Sequence, residues 1–269
     1  MVLRVIVLLF SLSFAFASPA RAELAVRFFD VGFGDAILIV FPNGHTMFID
    51  AGNPTYGPKL RDYLFKHNLR MIDTAIITHP HANHFGGFIE LAMVFPIHRL
   101  YVNGDESPEE PYADFQFILN ARNIEVTVLK HGDVIEGLSK EVTMKVLSPA
   151  QLSGNPNDDA LVLKLDYNDV SFLFTSDISP TMQRNLISNY GDDLKADLVQ
   201  IPHHGGPIDP VFAGFFPDSM FVISTGTNGY DLPRADELEW LPGRVMRTDQ
   251  GGSLTFSSDG QSISVIQEP

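Results

Sequence analysis

The chain of 269 residues contains no cysteine. That absence excludes disulfide bonds, thiolate-held zinc and a cysteine nucleophile together. Basic residues are scarce as well: 18 Lys and Arg stand against 33 Asp and Glu, a formal charge of −15. Such a balance argues against strong nonspecific nucleic-acid binding, which needs a net basic face to displace counterions from phosphates. No repeat, low-complexity tract or linker divides the chain, and it has neither a GxSxG elbow nor a Walker phosphate loop. Gly32-Phe33-Gly34 lacks the rest of a dinucleotide fingerprint. What is present is a globular composition, 45% hydrophobic and 19% charged, with 21 Phe to build a large core.

Long apolar runs are also missing, except at the N-terminus. Arg4 is followed by an apolar stretch from Val5 to Ala17, broken only by Ser11 and Ser13, and then by Ala20-Arg21-Ala22. This is the order of a signal peptide, so residues 1–22 are expected to be removed before Glu23. An uncleaved anchor is the alternative, but the run is short for a bilayer. The mature chain, 23–269, would lose Arg4 and Arg21 and carry −17 instead of −15. It has no transmembrane span and is expected to be a periplasmic or secreted protein.

Apolar patterning predicts strands at Ala25–Asp30, Ala36–Phe41 and Thr46–Asp50, with Asn43-Gly44 as a hairpin turn. A helix over Tyr56–Lys66, a strand over Met71–Ile77, a helix over Phe88–Val94 and a strand at Leu100–Val102 follow. Helix Asp114–Ala121 and strand Glu125–Leu129 continue the alternation. Later strands are expected at Val142–Leu147, Ala160–Asp166, Val170–Thr175, Leu198–Ile201 and Phe221–Ser224. Helix Thr181–Tyr190 and a helical turn after Pro210 lie among them. Leu254–Ser257 and Ser262–Ile266 close the chain. The pattern reads as α+β with much antiparallel sheet.

Histidine is where the chemistry gathers. Thr78-His79-Pro80-His81-Ala82-Asn83-His84 places three imidazoles within six residues, directly after a predicted strand. A loop lets them converge, whereas alternation along a strand would send neighbours to opposite faces. A metal site is the reading this spacing favours. Pro202-His203-His204-Gly205 repeats the arrangement after Leu198–Ile201, so five of the nine histidines sit in two such loops. Asp177 ends the apolar run Phe172-Leu173-Phe174, where a lone charge is costly. A metal would stabilise it; so would capping the helix that follows.

With these motifs in view, the mature chain resembles the metallo-β-lactamase-fold hydrolases. Within them it resembles the domain attached to the bacterial competence protein that internalises DNA. The His79 loop is similar to the HxHxDH signature, and Phe29–Ala36, Phe48–Gly52, Leu161–Ile178, His203-His204-Gly205 and Arg247-Thr248-Asp249-Gln250 are similar to that branch's other segments. The resemblance implies a four-layer αββα sandwich and room for one or two Zn2+ ions, with Mn2+ or Fe2+ as alternatives. It implies that His79 and His81 hold one ion, His84 and His204 a second, and that Asp177 bridges them. His203 would stand beside the metals and assist catalysis with Asp177, through an oxyanion contact or a proton. Asp50 is expected to orient the His79 loop.

Two positions depart from the signature. Asn83 stands where Asp is expected, and an amide is neither an anionic ligand nor a base. No third His in a ligand-like context lies between the His79 loop and Asp177, since His98 and His131 read as structural. Asp158 or Asp159, in Asn157-Asp158-Asp159, would complete the first site; an ordinary solvated turn is the alternative reading.

The function expected is that of an exported metal-dependent hydrolase of a phosphoester or phosphodiester in a small-molecule substrate. The alternatives are a catalytically weakened metal- or ligand-binding relative and a β-lactam or ester hydrolase. DNA uptake itself needs a channel, for which the chain has no spans.

Overall fold

In the computed structural model, which describes residues 23–268, the early alternating segments pair as a meander. The signal-peptide reading of residues 1–22 lies outside the described residues. Strands β1 (Leu24–Phe28), β2 (Ala36–Val40) and β3 (Thr46–Ala51) are antiparallel neighbours. From β3 the sheet changes sense. Strands β4 (Thr74–Ile77), β5 (Leu100–Val102) and β6 (Val126–Val128) add in parallel. Their crossovers are α1 (Gly57–Lys66), the short α2 (Ala82–Phe85) with α3 (Phe88–Val94), and α4 (Glu110–Ala121).

The second sheet repeats this plan. Strands β7 (Val134–Ser139), β8 (Val142–Ser148), β9 (Val162–Tyr167) and β10 (Val170–Phe174) are antiparallel. Strands β11 (Leu198–Gln200), β12 (Met220–Ile223) and β13 (Val245–Arg247) then add in parallel. They are reached through α5 (Pro180–Tyr190), α6 (Pro210–Gly214) and α7 (Ala235–Leu238). The terminal hairpin, β14 (Ser253–Ser258) and β15 (Ile263–Glu268), returns to the first sheet beside β1.

Both sheets are therefore mixed: the antiparallel sheet expected from the sequence is present in each half and is extended by parallel strands. Parallel neighbours need a crossover that returns the chain to its starting end, and the helices between these strands supply it.

Side-chain alternation assigns the layers. In β10, Phe172 and Phe174 face the other sheet while Leu173 faces the helices. In β3, Met47 and Ile49 join the inter-sheet core and Phe48 packs under α1 and α3. Full burial of each such side chain contributes about 1.5–3 kcal/mol. One apolar layer lies between the sheets, and one lies between each sheet and its helices, giving the α/β/β/α order. No helix among the described residues is long and apolar enough to cross a membrane.

The parallel halves of the two sheets bring their carboxyl ends to one edge of the sandwich. Asp50 ends β3, Thr78 and His79 follow β4, Ser176 and Asp177 follow β10, His203 and His204 follow β11, and Ser224 follows β12. Crevices at such strand ends are where open α/β sheets bind ligands.

Candidate metal centre

Four of the five histidines singled out in the sequence reach Asp177. Its Oδ2 lies 3.2 Å from His84 Nε2, 3.5 Å from His204 Nε2, 3.8 Å from His79 Nε2 and 3.9 Å from His203 Nε2. His81 joins through His79, their Nδ1 and Nε2 atoms facing each other at 2.9 Å. Two sets of donors share Asp177, His79/His81/Asp177 and His84/Asp177/His204, each with its ligand atoms within 4.8 Å of one another; a third group, Asp35/Asp50/His84, lies behind them.

The backbone is bent to achieve this. Asp50, Ser176, His203 and His204 all have positive φ, between 51° and 58°. Left-handed backbone at non-glycine residues costs about 1–2 kcal/mol each and persists where the surroundings over-determine it. Gly34 serves the same edge, because any Cβ there would strike the carbonyl oxygen of Asn83.

Each imidazole is oriented from behind. His84 Nδ1 donates to Asp50 Oδ2 at 2.8 Å. Asp50 also receives the Thr78 amide at 2.8 Å and the Thr78 hydroxyl at 2.7 Å. That hydroxyl, with its own proton given to Asp50, can accept from His79 Nδ1, 3.1 Å away. His204 Nδ1 donates to the Ser224 carbonyl at 3.0 Å. These bonds fix the tautomers so that the Nε2 atoms of His79, His84 and His204 turn inward, as carbonyl and carboxylate partners do for metal-bound histidines.

Inside the cluster, partners are missing. His84 Nε2, despite its contact with Asp177, is too poorly aligned for a hydrogen bond, and it and Asp177 Oδ1 are buried without a hydrogen-bond partner. Buried polar atoms rarely remain orphaned unless something else satisfies them. Inward imidazole nitrogens around a shared carboxylate suit a divalent cation, zinc first and manganese or iron(II) next. The residues fit the group that the sequence implied.

The charges agree. Burial, then neighbouring His84, holds His79 well below the usual imidazole value, and burial lowers His81 and His203. Neutral rings are what ligation needs. Burial would lower His84 too, but the Asp177 and Asp50 carboxylates more than offset it and hold the ring well above its usual value. Asp177 resists its own burial and stays well below the usual carboxyl value, because His204, His84 and His79 surround it. Asp35, behind the cluster, is raised by burial and accepts from Gln200 Nε2 at 2.7 Å.

Other expectations fare differently. Asn83 reaches the cluster, its Nδ2 3.0 Å from His204 Nε2. His98 and His131 are exposed and away from it. Asp158 and Asp159 do not complete the first site: Asp159 accepts from the amides of Ser153 and Gly154 at 2.7 and 2.9 Å, and Asp158 from that of Ser179 at 3.2 Å. Both carboxylates brace the 153–161 turn instead.

A cavity of about 490 Å³ opens above the cluster. Its wall includes His81, Asn83, Asp177 and His203, and adds Phe33, Glu109, Asn157, Tyr230 and Arg234. Glu109, Tyr230 and Arg234 carried no motif, and Phe33 and Asn157, though inside motif segments, were given no role at the site. The Phe33 ring lies tilted against two others, its centroid 4.3 Å from that of His204 and 5.3 Å from that of Tyr230. Tyr230 and Arg234 come from a loop after β12, which only the fold brings here.

With this geometry described, comparison with known proteins decides the family. The family model of the metallo-beta-lactamase superfamily matches residues 29–241. The chain belongs to that superfamily. It is 28% identical to the uncharacterized protein YcaI of Escherichia coli (strain K12) and 24% identical to competence protein ComA of Neisseria gonorrhoeae. Those alignments cover 93% and 87% of this chain but 32% of each relative, so the chain spans about a third of their length. Among solved structures, the metallo-beta-lactamase fold protein YhfI of Bacillus subtilis superposes with a TM-score of 0.58 at 14% identity. That likeness covers 87% of this chain and all of YhfI, and it concerns the fold.

Proposed function

We propose that this superfamily member is a metal-dependent hydrolase that cleaves a phosphoester or phosphodiester bond in a small organic substrate. The observation that carries the reading is the convergence of His79, His84, His203 and His204 on one buried carboxylate, Asp177, with orphaned donor atoms facing inward. Divalent ions held there supply Lewis acidity and an acidified water.

The chain's own residues do the rest. Asp177, kept ionised at any ordinary pH, links the two donor sets. Its neighbour His203 stands at the open edge of the cluster, 3.9 Å from it: its side chain is 29% exposed and lines the cavity. Burial keeps it neutral, so its Nε2 is placed to bond a phosphoryl oxygen or, once protonated, to supply a proton to a leaving group. Arg234, in the same wall, offers a cation to an ester anion, and Phe33 with Tyr230 offers an apolar ledge for the organic part. A cavity of this size suits a small molecule.

Assays on bis- and mono-p-nitrophenyl phosphate, carboxylic ester and lactam panels with added zinc or manganese test the proposal. Phosphodiester turnover lost in Asp177→Ala is expected; turnover of the lactam alone would contradict it. A weakened, ligand-binding relative is the second reading, and Asn83 favours it by presenting a neutral amide to His204. Export is part of the proposal too. N-terminal sequencing of the mature protein should begin at or near Glu23, and an intact Met1 would contradict it.

A further inference from the structure

The two donor sets are each one histidine short of a familiar three-histidine arrangement, and the turn that precedes β9 stands beside the first. Its carboxylates are spent on bracing, as described, and the turn is held on three sides. The Leu161 amide donates to the Thr78 carbonyl at 2.9 Å, Asn103 Nδ2 to the Asp159 carbonyl at 2.9 Å, and the Ser179 amide to Asp158. These anchors tie it to the ends of β4 and β5 and to the segment after Asp177. Its placement is therefore fixed by the elements that carry His79, His81 and Asp177.

The residue that this turn contributes to the cavity wall is Asn157. It shares the wall with His81, Asp177 and His203, and its Oδ1 is buried with no hydrogen-bond partner. The backbone of the residue is accounted for: its amide donates to Asn155 Oδ1 at 3.2 Å and its carbonyl accepts from the Ala160 amide at 3.2 Å. The carboxamide oxygen is left over, and a buried acceptor calls for a partner.

We propose that Asn157 Oδ1 is a further ligand on the His79/His81/Asp177 side, taking the place for which the chain has no third histidine. The inference rests on the metal-dependent reading above and adds a consequence for which ion is held. An amide oxygen is a hard, neutral donor of the kind that manganese and magnesium accept readily and that zinc takes less willingly than imidazole. The first site is thus biased toward oxygen-accepting ions.

Cobalt(II) titration of the metal-free protein, followed by its visible absorption, tests this with a readout independent of turnover. Asn157→Leu should bind one ion at least tenfold more weakly and alter that ion's band, leaving the other unchanged. Asn157→His should bind zinc more tightly than the wild type and strengthen the band, because imidazole replaces the amide. Asn157→Asp, which keeps the shape and adds charge, should also tighten binding, and it decides the matter if the leucine variant does not fold. Unchanged affinity and spectrum in the aspartate and histidine variants would overturn the proposal. If metal is nevertheless lost in His81→Ala, the metal centre stands and Asn157 serves substrate or water instead. A wild type that takes up no ion would overturn the metal-dependent reading itself.

Discussion

His84 and Asp50 are joined by a buried hydrogen bond of 2.8 Å, and through Thr78 the same carboxylate reaches His79. One aspartate at the end of β3 thus aims an imidazole from each of the two donor sets. Asp50→Asn keeps the volume but removes the charge and one acceptor. It should weaken metal binding by about 10–100-fold, the usual effect of losing a partner behind a ligand. Calorimetric titration checks this, and unchanged affinity in a folded variant would contradict it.

Asn83 supplies a gain-of-function test. Its amide occupies the signature's carboxylate position, 3.0 Å from His204 Nε2. Asn83→Asp adds an anionic ligand beside His84 and His204, so occupancy of that set and phosphodiester turnover should both rise. Metal content and rate measured on the same preparation decide it. Full metal loading with no turnover on any panel would favour the binding-protein reading.

Much of this arrangement was legible in the sequence because its parts are local. His79, His81 and His84 announce themselves by spacing, and the strands before them by apolar runs. What the sequence did not show has particular causes. Strand β7 breaks its alternation at Gly137, which has φ of 76°, and its pairing shifts register there. Strand β13 has three residues and α2 has four, too few for any periodicity to register. Asp158 and Asp159 looked like ligands because carboxylates ligate, yet backbone amides claimed them first, those of Ser153 and Gly154 for Asp159 and that of Ser179 for Asp158. Tyr230 and Arg234 are invisible without the fold, since their proximity to His203 arises from packing across the sheet edge.

The ionisation pattern predicts how metal-free protein responds to pH. His79, His81 and His203 are lowered from 6.5, so the unfolded chain takes up protons there that the folded one refuses. Stability should fall as pH drops below about 6.5. His84 is raised above 6.5, so its contribution is full below that value and is lost as pH rises through its elevated one. Thermal unfolding in chelator should show a maximum near neutrality. His84→Ala should remove the alkaline decline and keep the acid one; an unchanged alkaline limb would contradict the assignment.

The central claim is that His79, His81, His84, Asp177 and His204 hold metal. Elemental analysis of protein purified without chelators tests it most directly. One or two equivalents of zinc, manganese or iron are predicted in the wild type, with clear loss in both His81→Ala and His204→Ala. The fold should survive that loss, because its three apolar layers do not depend on the ions. Full retention of metal in both variants, or none in the wild type after reconstitution, would contradict the account.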